Sequence, residues 1–229
     1  SEVQKLVTSQ TEPLEVRINA VRTLGAIGYD SDRLDVEKTL TTSLKLRAPE
    51  YIMLRYHSVL ALGELPGLDE DTLSELMRTA SSNEPVLVRT AALETLRTNS
   101  SPSRERASQV AGIAKRSDIG KLRLAALKLL GDYGAPEAVG VARLLLANEP
   151  SVEVTREIAY ALSMVKSEEA VSLLIDIASG QELRDYAVGI LTDADDRVVA
   201  SVVRRRIKTE NNESVLDVLR TLEAEVGMR

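Results

Sequence analysis

One pattern recurs along this chain and restricts its fold more than any other feature. An apolar residue, an arginine, a mostly small residue three further on and a leucine seven further on are found around Arg17, Arg55, Arg89, Arg123 and Arg184, with Thr155 in place of arginine in one copy. The anchors at 17, 55, 89, 123, 155 and 184 are spaced by 38, 34, 34, 32 and 29 residues. Residues at these offsets share one face of an α-helix. An acidic residue stands five before the arginine in the first four copies (Glu12, Glu50, Glu84, Asp118), and Glu12, Glu84 and Glu149 are each followed by proline. Proline suits the first helical position, and a carboxylate there meets the positive end of the helix dipole. Gly25, Gly63, Gly131 and Gly134 fall where these helices are expected to stop.

Weaker amphipathic segments separate the strong ones, at about Arg33–Leu44, Glu70–Ala80, Pro102–Lys115, Pro136–Ala147, Ser167–Ser179 and Asp195–Ile207, and Glu213–Val226 reads as a last helix. None is long enough to be stable alone, so each must bury its face against neighbours. Stacked pairs solve this, and a period in this range is the mark of a solenoid. The expectation is therefore all-α: a right-handed superhelix of about six stacked helix pairs, running as a single domain over residues 1–229. Composition agrees. Of 229 residues 44% are hydrophobic but only 3% aromatic, with no Phe and no Trp. A thin layered core of Leu, Val, Ile and Ala has less need of large rings than one globular core of this size.

The recurring order of acidic residue, proline, apolar, any residue, Val or Leu, arginine, then alanine, leucine and glycine resembles HEAT repeats, in particular the short bacterial kind found in phycobilin-lyase-like proteins. The resemblance extends over about residues 11–226. It implies that Arg17, Arg55, Arg89, Arg123 and Arg184 form a structural ladder in which arginine bonds an acidic group near the neighbouring repeat, with Thr155 breaking it. It also implies that the second helix of each pair lines the concave face. Residues two, five and nine past each anchor then form the column facing a partner, and from it the candidate contact residues are His57, Glu64, Lys128, Glu157, Tyr160, Met164 and Tyr186. Tyrosine and methionine are natural contact residues.

Catalytic chemistry finds no foothold. With no cysteine there is no thiolate nucleophile and no Cys-based zinc site. His57, the only histidine, has no triad or ligand set near it in sequence, and a surface histidine is the commoner reading. HEAT-fold metal hydroxylases use His-Glu pairs, whereas His57 is followed by Ser58. No phosphate-binding glycine loop or nucleophile elbow occurs. No enzyme activity, cofactor or metal is expected. The net charge of −6 disfavours nucleic acid. The basic run Arg204-Arg205-Arg206-Ile207-Lys208 reads either as an anion contact or, more commonly, as a solvated helix end, diluted by Asp193, Asp195, Asp196 and Glu210. No apolar run spans a bilayer. The expected role is a non-catalytic scaffold binding a peptide or protein on the concave face, centred on Glu157, Tyr160, Met164 and Tyr186. The alternatives are a phycobilin-lyase-like accessory module and, behind it, a nucleic-acid-binding HEAT protein. A cytoplasmic setting is the first expectation; an exported mature chain would also fit, and the start at Ser1 is compatible with a piece of a longer protein.

Overall fold

The recurring positions are where the chain buries its side chains. The residue three past each anchor (Ala20, Ser58, Ala92, Ala126, Ile158, Ala187) and the leucine seven past it (Leu24, Leu62, Leu96, Leu130, Leu162, Leu191) are all within 5% of complete burial. Each fully buried leucine contributes roughly 1.5–3 kcal/mol by removal from water. The residue before the anchor is less uniform: Leu54, Val88, Leu122 and Leu183 are buried, whereas Val16 is exposed and Val154 half-buried.

The computed structural model describes residues 1–27, 33–148, 151–194 and 196–227. The expected acid and proline at Glu149 and Pro150, and Asp195, lie outside these residues. Among the described residues the secondary structure is helical throughout, with no strand. Two compact units result, Ser1–Ser101 and Pro102–Arg229.

In the N-terminal unit the pairs are α1 (Glu2–Thr8) with α2 (Leu14–Ile27), α3 (Arg33–Leu44) with α4 (Ile52–Gly63), and α5 (Glu70–Ser81) with α6 (Val86–Asn99). In the C-terminal unit they are α7 (Arg104–Arg116) with α8 (Gly120–Asp132), α9 (Glu137–Asn148) with α10 (Val152–Ser163), α11 (Glu168–Ala178) with α12 (Arg184–Asp193), and α13 (Asp196–Arg206) with α14 (Glu213–Gly227). First helices neighbour first helices and second neighbour second, which is solenoid stacking within each unit. Seven pairs thus stand among the described residues where the sequence suggests about six. The addition is α1, too short to show a period. It is held by a capping box between Ser1 and Gln4 and by the fully buried Val7.

Serine or aspartate starts several helices. Asp69, Ser103, Ser151 and Ser167 accept from the backbone N–H groups of Thr72, Arg106, Val154 and Ala170, at 2.7, 3.0, 3.2 and 3.1 Å. Buried Glu37 of α3 also reaches the start of α5, accepting from the Asp69 N–H at 2.8 Å.

The glycines differ from expectation. Only Gly67 and Gly134 take positive φ among the described residues, so Gly134 does end its helix in a left-handed turn. Gly25 and Gly131 lie inside helices. A Cβ at Gly25 would stand 2.9 Å from the Cα of Ala61, and one at Gly131 2.9 Å from the Cα and Cβ of Ala161. Gly63 faces the Thr95 hydroxyl, with 3.2 Å to a built Cβ. These three glycines, at or within two residues of their helix ends, let adjacent second helices approach and do not form left-handed caps.

The arginines make a contact beyond the expected acid pairing. The recurring partner is a backbone carbonyl at the end of the first helix of the same pair or, for Arg55, in the loop just past it. Arg17 Nε donates to the Val7 carbonyl at 2.9 Å, Arg55 Nη1 to those of Leu46 and, at 3.1 Å, Ala48, Arg89 Nε to that of Ala80 at 2.9 Å, and Arg123 Nε to that of Ala114 at 3.4 Å. The last carbonyls of a helix lack intrahelical donors and carry the negative end of its dipole, so a guanidinium satisfies both. An acid of the next repeat is added at Arg55, where Glu84 is bound at 2.7 Å, and Arg184 binds Asp217 of α14 at 2.5 Å. Thr155 lacks the reach for either contact.

Candidate partner-binding face

Burial is asymmetric between the two helices of a pair. Among the described residues, the large apolar side chains left more than a third exposed are Val16, Ile27, Met53, Leu60, Leu87, Tyr160, Met164 and Tyr186. All eight lie on, or at the end of, second helices: α2, α4, α6, α10 and α12. The first helices turn charged and small polar groups outward. Thus α5 exposes Glu70, Asp71 and Arg78 while burying Leu73, Leu76 and Met77.

In the C-terminal unit, Tyr160 is 49% exposed, Met164 44% and Tyr186 37%. Tyr160 and Met164 are four apart and stand on one stripe of α10. Tyr186 lies on the adjacent α12, where the Arg156 guanidinium sits 5.7 Å from its ring centroid. Lys128 of α8 and Glu157 of α10 pair at 3.1 Å. Thr192 of α12 donates to Glu225 of α14 at 2.8 Å. Three of the sequence-selected residues, Lys128, Glu157 and Tyr186, therefore also tie neighbouring second helices, while Tyr160 and Met164 project without such ties.

In the N-terminal unit, His57 is half-buried on α4, edge-on to Tyr56 with ring centroids 5.3 Å apart. Burial, and then the nearby Arg22 cation, push its pKa below the ordinary value. Glu64 is exposed at the end of α4. Around His57 stand Met53 and Leu60 on the same stripe, with Leu87 on the neighbouring α6. Met53 and Leu87 were not selected from sequence. Each stands two before its anchor and so one turn below the position two past it, and extending the chosen stripe by one turn would have found both.

The basic run is largely engaged. Arg205 pairs with Glu168 of α11 at 2.7 Å, and Arg206 binds Asp176, Glu210 at 3.0 Å and the Ser172 carbonyl at 3.0 Å. These bonds pin α13 to α11 and hold the Glu168 and Glu210 carboxyls below their usual range; hydrogen bonding to Arg205 leads for Glu168, and backbone N–H donation from Asn212 leads for Glu210. Among the described residues no three acidic or histidine side chains are grouped to hold a metal ion, and no helix is long and apolar enough to cross a membrane.

Residues 109–188 match the family model for HEAT repeats. The paired, repeat-stacked helices of both units share the HEAT-like fold of that matched stretch. No curated protein sequence matches it. Among solved structures, it is similar to a chain of the CpcE–CpcF complex of phycocyanin lyase from Nostoc sp. PCC7120, at 17% identity and TM-score 0.56, covering 97% of this chain and 93% of that one. It is also similar to an engineered protein at 17% identity and TM-score 0.54, covering 100% and 97%. At these identities the likeness is one of fold.

Proposed function

We propose that the chain is a non-catalytic scaffold that docks a peptide or protein partner on its second-helix face, centred on Glu157, Tyr160, Met164 and Tyr186. The observation that carries this is the confinement, among the described residues, of exposed large apolar side chains to second helices. Solvation disfavours an apolar patch, and a patch kept on one face of a repeat array is what a binding surface requires. Exposed tyrosine next to methionine adds contact area with adaptable shape. The test begins with the chain immobilised against an extract of its native source, followed by purified captured protein and the double variant Tyr160→Ala, Tyr186→Ala. Each hot-spot tyrosine is worth roughly 2 kcal/mol, about thirtyfold in affinity. Affinity lost at an unchanged melting temperature supports the reading. Affinity retained while stability falls makes the tyrosines packing residues and overturns the site.

A second reading, a phycobilin-lyase-like accessory module, draws on the fold shared with the phycocyanin lyase chain. Incubation with a bilin and a client biliprotein separates the two readings, since only this one expects pigment attached to the client.

A further inference from the structure

Among the described residues the α10–α12 face carries three acidic residues without an ionic partner against one such cation, Arg156. Glu153 lies two helical turns before Tyr160 on the same stripe, and Glu182 and Asp185 flank Tyr186; all three are exposed, with no ionic partner among the described residues. Glu157 is neutralised by Lys128. The cation Arg156 is laid over Tyr186, so this surface already holds a guanidinium on a tyrosine ring. Tyr160 offers a second ring that has no such partner.

Gly189 adds an independent observation. It lies mid-helix in α12, three residues after Tyr186, exposed, and a Cβ there would meet nothing within 4 Å. Packing therefore does not require glycine, although glycine inside a helix costs about 1 kcal/mol relative to alanine. What glycine does here is leave bare backbone beside Tyr186, so that another chain can approach closely.

We propose, on the basis of the scaffold reading above, that this face docks a lysine- or arginine-rich peptide segment. Its cations meet Glu153, Glu182, Asp185 and the open ring of Tyr160, and its backbone lies over Gly189. Carboxylates and tyrosine faces both attract cations, whereas an acidic segment or a phosphate backbone would be repelled.

The probe is a synthetic peptide of alternating lysine and leucine, with a glutamate-for-lysine counterpart, titrated into the full chain by calorimetry at about 50 and about 500 mM salt. The lysine peptide is expected to bind, weakening at high salt, and the glutamate peptide not to bind. The triple variant Glu153→Gln, Glu182→Gln, Asp185→Asn is expected to lose about tenfold or more in affinity. A control with the same charge change elsewhere, Asp35→Asn, Glu105→Gln, Glu223→Gln, should lose less than about threefold, which excludes attraction to net charge alone. Gly189→Leu, whose Cβ meets nothing, should melt no lower than the unsubstituted chain and lose binding. Equal losses in the two triple variants, or equal binding of the two peptides, overturn the proposal. If Tyr160→Ala with Tyr186→Ala abolishes binding of a natural partner while the face triple variant retains it, the docking face stands and the cationic assignment alone fails.

Discussion

Removal of the Arg55 guanidinium should injure the N-terminal unit more than removal of any other ladder arginine. The group is buried, and four of its five N–H donors are engaged in two directions. Nε and Nη2 bind Glu84 Oε2 at 3.0 and 2.7 Å, and Nη1 binds the Leu46 and Ala48 carbonyls. Breaking a buried ion pair by deleting one partner costs about 3–5 kcal/mol, because the survivor is left charged in a poor solvent. Here Glu84 retains Arg47, whose Nη1 reaches its other oxygen at 3.1 Å. That places Arg55→Ala at the lower end, about 3 kcal/mol. Replacing both partners by apolar residues would not restore the loss, since the two carbonyls would still lack their donor. Arg123 is the contrast: half-buried, with one carbonyl contact at 3.4 Å, it should contribute about 1 kcal/mol or less. If the whole chain melts together, the expected fall in midpoint is about 6–12 °C for Arg55→Ala, and about twice that if the N-terminal unit melts alone; Arg123→Ala should fall by a few degrees at most. Scanning calorimetry measures this. A double-mutant cycle with Glu84→Gln should return a coupling of at least about 1 kcal/mol. Equal midpoints for the two single variants, or a coupling near zero, would refute the assignment of Glu84 as the partner that distinguishes this junction.

Gly131→Ala forces a Cβ to within 2.9 Å of Ala161 and should cost about 1–3 kcal/mol in urea unfolding, whereas Gly189→Ala meets nothing and should gain up to about 1 kcal/mol; the same sign for both would refute the close-approach account of Gly131. Because His57 is the only histidine, its titration is readable by NMR without assignment, and its midpoint should lie below 6.5 and rise in Arg22→Gln. A depressed folded-state pKa means the native state binds fewer protons, so this contribution is present above 6.5 and is lost as pH falls through the folded value; His57→Gln should flatten that part of the stability profile. If the scaffold carries no metal chemistry, exhaustive chelation should leave melting temperature unchanged, and a stoichiometric transition metal surviving chelation would contradict it.

The sequence exposes the parts of the fold that repetition makes visible. Leu24, Leu62, Leu96, Leu130, Leu162 and Leu191 recur at one offset because each plugs the same layer, and all are buried. Seven residues of α1 carry no repeat and too little period, so that helix is legible only through its tertiary anchor, Val7. The glycines show a different limit. Gly25 and Gly131 occupy an offset at which helices also end, and a stop or a close approach leaves the same letter in a sequence. Only the neighbour at 2.9 Å decides between them, and that neighbour, Ala61 or Ala161, is over 30 residues away for Gly25 and 30 for Gly131. The arginines follow the same logic. An acidic residue five before each of the first four anchors invites pairing by charge, but a recurring acceptor is a carbonyl nine or ten residues back, and carbonyls are uniform along a chain and leave no trace in its composition.

On the candidate face the stripe of residues is set by helical period and is therefore legible, while their freedom depends on neighbours across the stack. Tyr160 and Tyr186 look alike in sequence, each on the exposed stripe of its helix. The structure separates them: Arg156 lies over one ring, while the other faces solvent. Arg156 falls next to the anchor where arginine is replaced by Thr155. The break in the ladder and the tie between α10 and α12 thus fall on adjacent residues. The guanidinium that elsewhere caps the first helix of its own pair is here one residue later, turned onto the second-helix face. It holds the junction from that face, and it brings a cation and a tyrosine together beside the ring left open.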